Sequence, residues 1–156
     1  MVELTLDNIS RDVTWFITRL LRNNLTDPNS RSTEWIFKSQ STEPIDYDLP
    51  RVVVDVSEFV TEQTMLKGKG TYFVPKDIVV EIMIYADSIR NRDEITDDIR
   101  DVLFNPDSAD DEGDSLKSNH LILRRCIEGV EDFYAEHPKI IRAKRMVCEF
   151  RYSGVS

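Results

Sequence analysis

The sequence predicts an α+β fold with a mostly antiparallel sheet, two amphipathic helices and a C-terminal β-hairpin. Three observations carry this expectation. Apolar residues recur at three- and four-residue steps near the start of the chain, which is a helical period. Two stretches, "RVVVDVSEF" and "DIVVEIMIYA", alternate with period two, and the second runs straight into another helical period. The last forty residues hold two alternating runs whose opposite charges meet when the chain is folded back at Glu136, His137 and Pro138.

The elements follow in order. Ile9, Val13, Phe16, Ile17, Leu20 and Leu21 make one apolar stripe, with Asp7 placed to cap it and Asn23, Asn24 and Pro28 to end it, so a helix is expected over roughly 8–24. The run from Glu34 to Lys38 contains Trp35, Ile36 and Phe37 and reads as a short strand. Two prolines hold "STEPIDYDLP" extended. It leads into a strand from Arg51 to Phe59, with Val52, Val54 and Val56 on one face and Val53, Asp55, Ser57 and Phe59 on the other. The 60–76 connection carries two glycines, a proline, Lys67 and Lys69, and reads as either an exposed loop or an extended hairpin arm.

Ile78, Val80, Ile82, Ile84 and Ala86 then alternate with Val79, Glu81, Met83 and Tyr85. Asp87 and Ser88 are N-cap residues for a second helix built on Ile89, Ile95, Ile99, Val102 and Leu103, which Asn105-Pro106 stops. Beyond a polar, acidic loop, the segment from Leu121 to about 135 suits either a helix or a strand, whereas 139–152 is a strand. The hairpin is favoured because partners summing to 274 in residue number set Arg125 against Glu149, Asp132 against Arg142 and Cys126 against Cys148. In that arrangement Gly129 is a candidate bulge.

The 156 residues suit one domain, 1–156, able to bury about two thirds of its unfolded surface without metal or disulfide staples. No run of about 20 apolar residues suggests a membrane span, and "MVELTLDNIS" lacks the basic and apolar regions of a signal peptide, so a soluble, unexported protein is expected. Lys and Arg number 20 and Asp and Glu 29, a net charge of -9. Residues 1–116 hold 12 basic and 24 acidic side chains (12 - 24 = -12), and 117–156 hold 8 and 5 (8 - 5 = +3). Such a surface argues against general binding of free nucleic acid. Asp supplies 17 of the acids and Lys only 7 of the bases, a bias that suits solubility in concentrated salt and a hypersaline source.

Candidate chemistry is sparse. Asp93, Glu94, Asp97, Asp98 and Asp101 lie between the apolar positions of the second helix and read as its solvent face rather than as a metal or acid/base cluster. An EF-hand with Gly113 in sixth place would need Ser108 first and Asn119 twelfth, where Asp and Glu are required, so a disordered acidic loop is the better reading of 107–119. His120 and His137 have no nucleophile motif beside them, "KGKGT" is no phosphate loop, and the two cysteines are too few for a zinc site. No catalytic residue, metal or cofactor is expected, and the cysteines read as reduced thiols that could still be bridged on oxidation. The basic strand with Arg142, Lys144, Arg145 and Arg151 suits contacts with an acidic protein or another copy, protection of a sheet edge, or nucleic acid.

The order of elements, and above all "PRVVVDV" and "VVEIMIYADS" followed by "DEITDDIRDVL", resembles the tail terminator and tail completion proteins of long-tailed bacteriophages and archaeal viruses, also called head-to-tail joining or neck proteins. The resemblance extends from the first helix to the last strand. It implies a sheet flanked by two helices, in a virion subunit that forms a homo-oligomeric ring, typically a hexamer, on the head-proximal end of the tail tube. Such a ring ends tube growth, docks to the head connector or head-closure protein, and passes double-stranded DNA through its lumen without sequence-specific binding. It acts on no membrane and implies no catalytic residue. An acidic lumen suits that role, because phosphates must slide through. Lys67, Lys69, Arg142, Lys144 and Arg145 are then the candidate assembly interface, with 67–70 an arm reaching a neighbour or the tube. Another ring-forming virion protein, such as a head-closure or tube subunit, and a non-viral small-molecule binding module are the other readings.

Overall fold

The protein is described here from a computed structural model that covers residues 9–38, 49–61, 76–134 and 140–153. The elements are α1 (Ile9–Asn24), β1 (Ile36–Lys38), β2 (Arg51–Thr61), β3 (Lys76–Ala86), α2 (Ile89–Phe104), β4 (Leu121–Val130), β5 (Phe133–Tyr134) and β6 (Ile140–Tyr152). This is the expected α+β fold.

Five strands form the sheet in the order β1-β2-β3-β6-β4, and β5 continues the pairing along β6. Among the described strands only β1 and β2 pair in parallel, and the other pairs are antiparallel. The period-two pattern of the sequence sets which residues are buried. Val52, Val54, Ile78, Val80, Ile82, Ile84, Met146, Cys148, Phe150 and Tyr152 all point to one face and join one core. Both helices cover that same face: Val13, Phe16, Ile17, Leu20 and Leu21 of α1 and Ile95, Ile99 and Leu103 of α2 belong to the same cluster. The opposite face carries a smaller cluster of Leu49, Val53, Tyr85, Ile141 and Ala143. There Tyr85 meets Phe133 edge-to-face, with centroids 6.1 Å apart.

Local chemistry explains the helix ends. The Ser88 hydroxyl accepts from the Asn91 amide at 3.1 Å and so caps α2, while Asn105 closes its other end. Within the helices, Thr18 and Thr96 donate to the carbonyls of Thr14 and Arg92, each at 2.7 Å, so both buried hydroxyls are satisfied. Ile89 is exposed rather than core-facing. It is the first residue of α2, at the helix end, and the buried positions of the helix begin only at Arg92. Asp7 lies outside the described residues.

Several boundaries differ from expectation. β1 begins at Ile36 rather than Glu34, although Trp35 is buried beside it, and β2 runs on to Thr61 past a bulge between Val56 and Glu58. The 121–130 segment is a strand, and β4 pairs with β6 as Arg125↔Glu149, Cys126↔Cys148 and Gly129↔Arg145. Gly129 therefore makes no bulge. The irregularity falls between Leu123 and Arg125 instead, where Arg124 is accommodated and the pairing slips by one. Glu136, His137 and Pro138 lie outside the described residues.

The 107–119 segment is an ordered turn docked on α1, not a disordered loop. Asp110 and Asp114 are buried, and Leu116 enters the core. One Asp110 carboxylate oxygen accepts from the amides of Glu112 and Asp114, both at 2.9 Å, while the other accepts from the Arg19 guanidinium. The side-chain amides of Asn23 and Asn24 both donate to the Ala109 carbonyl at 2.9 Å. These residues bind the turn to the end of the helix.

Candidate assembly surface

The basic residues of β6 divide by parity between the two faces of the sheet. On the helix side, Lys144 Nζ lies 3.1 Å from Asp93 and 3.9 Å from Glu128, and Arg142 Nη1 lies 3.1 Å from Asp132. Asp132 ties this corner together. It accepts from the buried Ala143 amide at 2.8 Å and from Arg92 at 3.0 Å, in addition to Arg142. Burial works against its charge, yet the Ala143 amide and the two guanidiniums outweigh that, and its carboxyl is held below the usual carboxylate range. Asp93 is lowered as well, chiefly by the Arg92 hydrogen bond and further by Lys144. Arg100 extends the network from α2 to Glu128 of β4 and to Asp97.

On the open side, Arg145 lies 3.1 Å from Glu131 and 3.5 Å from Glu81. Arg125 donates to Glu149 at 2.8 Å, as the sequence register requires. Arg151 donates to Asp77 at 2.8 and 3.0 Å, and that hydrogen bond is the main reason the Asp77 carboxyl sits low. The strand that reads as basic in sequence is thus held among acids of its own chain. It is also internal to the sheet, between β3 and β4, so its charges do not protect an edge. Lys144 is largely covered, while Arg145 keeps 43% and Arg142 31% of its side chain exposed. Lys67 and Lys69 lie outside the described residues. Past its bulge the β2–β3 ladder continues to Thr61↔Lys76, so the connection that carries them leaves from adjacent, paired strand ends.

The helix acids Glu94, Asp97, Asp98 and Asp101 are exposed, and Asp93 is the member drawn into the sheet network. Burial and the neighbouring Asp101, Asp97 and Glu94 raise the Asp98 carboxyl, as expected for a crowded acidic face. Among the described residues no group of three or more His, Cys, Asp or Glu side chains could hold a metal. No described helix is long and apolar enough to cross a membrane.

Two surface features had no counterpart among the candidate residues. Among the described residues β4 pairs only with β6, leaving its outer edge open over ten residues, and Ile122, Ile127 and Val130 on it are more than half exposed. The signal was present in "LILRRCIEGV", whose apolar residues fall on both faces, but it reads equally well as a buried strand. On α1, Trp15 is 41% exposed, with Arg22 and Lys38 lying 5.7 and 5.6 Å from its ring. It lines a shallow hollow of about 350 Å³ with Arg19, Arg22, Asn23, Glu34 and Asp111.

No protein-family model matches the chain, and no curated protein matches it. Among solved structures, one chain of the virion of a native gene transfer agent particle is similar over 91% of this chain and 95% of that one, at 14% identity and a TM-score of 0.46. A likeness that distant carries no argument about function.

Proposed function

We propose that this chain is a structural protein of a tailed virion, a neck subunit whose copies close into a ring of about six at the head-proximal end of the tail tube. The observation that carries this reading is the open β4 edge. Among the described residues β4 is a ten-residue strand with no partner on its outer edge, and with Ile122, Ile127 and Val130 it offers backbone donors, acceptors and aliphatic surface to another chain. In the proposal that chain is a neighbouring copy, reached by the 62–75 connection with Lys67 and Lys69, and a heterologous contact of this kind closes into a ring. The fold, with its two helices on one face and its C-terminal hairpin, agrees with the resemblance seen in the sequence. In the assembled ring, tail tube protein and head connector or head-closure protein would occupy opposite ends, and the net charge of -9 would let DNA slide through the lumen. Arg142, Lys144 and Arg145 have their charges met within the chain, so their proposed part is to hold the β6 surface in shape, with the exposed portions of Arg142 and Arg145 available to a neighbour.

The test is the particle mass of the purified protein in molar salt by light scattering, with images of the same sample. Closed rings of about six subunits are expected. Ile127→Lys, and Lys67→Glu with Lys69→Glu, should each leave the chain folded and weaken assembly. Long cylinders would identify a tube subunit instead. A monomer that also fails to halt growth of its tail tube would overturn the proposal.

A further inference from the structure

Cys126 of β4 and Cys148 of β6 face each other directly across an antiparallel pair, with their sulfurs 2.9 Å apart. Opposed residues in such a pair have Cα atoms about 4.5–5.5 Å apart, inside the range of about 4.4–6.8 Å that a disulfide spans. Non-bonded sulfurs so close need little further approach to reach a bond of about 2.05 Å. The two thiols differ in access. Cys148 is fully buried in the main core, whereas Cys126 is half-buried on the outermost strand. We propose that this pair is a redox site that takes small-molecule disulfides, with Cys126 as the attacking and Cys148 as the resolving sulfur, and that oxidation locks the edge strand β4 to β6.

The chemistry balances as a thiol–disulfide exchange. The Cys126 thiolate attacks one sulfur of a low-molecular-weight disulfide RSSR, forming a mixed disulfide and releasing RS⁻. Cys148 then loses its proton and attacks the Cys126 sulfur, expelling the second RS⁻. The protein dithiol is oxidised by two electrons, RSSR is reduced to two thiols, and the protons end on the released thiolates. The assignment of roles has electrostatic support. The hydrogen bond from Cys148 lowers the Cys126 thiol, while that bond and burial push Cys148 up, so Cys126 ionises first. The proposal is independent of the virion reading, since it rests on one strand pair within a single chain.

The test is to incubate the folded full-length protein with oxidised glutathione and follow thiol titre and intact mass. The wild type should lose both thiols, become lighter by two hydrogens and retain no glutathione. Cys148→Ser should stop at one stable glutathione on Cys126, and Cys126→Ser should stay unmodified while folded. A wild type that remains reduced under conditions that oxidise its urea-unfolded form would overturn the proposal. So would a stable glutathione adduct on the wild type, or a bond that forms only between two chains.

Discussion

Replacing Asp132 with Ala should remove the tie between the hairpin corner and α2 and destabilise the protein by about 3 kcal/mol. The figure follows from its partners. The buried Ala143 amide, which donates at 2.8 Å, would be left without this acceptor, a loss of about 1–3 kcal/mol. Arg92, only 8% exposed, would lose one of its two carboxylates and keep Asp93, which adds about 1 kcal/mol. Arg142 is more exposed, and its pair with Asp132 adds about 0–1 kcal/mol. Asp132→Asn keeps an acceptor for the amide and loses the charge, so it should cost roughly half as much. Urea unfolding at pH 7 measures both as shifts of midpoint at constant slope.

Acid provides the second half of the experiment. The folded-state pKa of Asp132 is lowered, so its contribution is present above the unfolded value of about 3.9 and is lost as pH falls through the folded value. The gap between wild type and Asp132→Ala should therefore narrow below about pH 4. A cost under about 0.5 kcal/mol at pH 7, or a gap that widens on acidification, would refute the reasoning.

Three further outcomes are expected. Ile82→Ala opens a cavity at a fully buried position in the central strand β3 and should cost about 3–4 kcal/mol by urea unfolding. Ser88→Ala removes the acceptor that caps α2 and should cost about 1 kcal/mol, measured the same way, with Ser88→Asp recovering most of it. If the aspartate-rich, lysine-poor surface is an adaptation to a hypersaline setting, the thermal midpoint should rise steeply between dilute buffer and molar potassium chloride; equal stability and dispersity in both would discard that idea.

Local pattern determined much of this protein. The period-two runs of β2, β3 and β6 and the 3.6-period stripes of α1 and α2 could be read directly, because each records which side of an element meets the core. Once 121–130 is taken as a strand, the β4–β6 register from Arg125 to Val130 was legible too, though the one-residue slip before Arg125 was not. Arg125 against Glu149 and Cys126 against Cys148 follow from one turn position, and a slip of one residue would have put every side chain on the wrong face. What sequence left open depends on partners far away in the chain. Nothing in "KIIRAKRMVCEFR" says that β3 and β4 lie on its two sides, so its charges could pass for an edge guard or a free basic patch until Asp93, Glu128 and Glu81 were seen beside them. The acidic turn at 107–119 could pass for disorder because the group that orders it, Arg19, lies 91 residues away from Asp110. Periodicity records burial and polarity within one element, whereas strand order, the choice of ion-pair partner and the position of an unpaired edge are decided only when distant segments pack together.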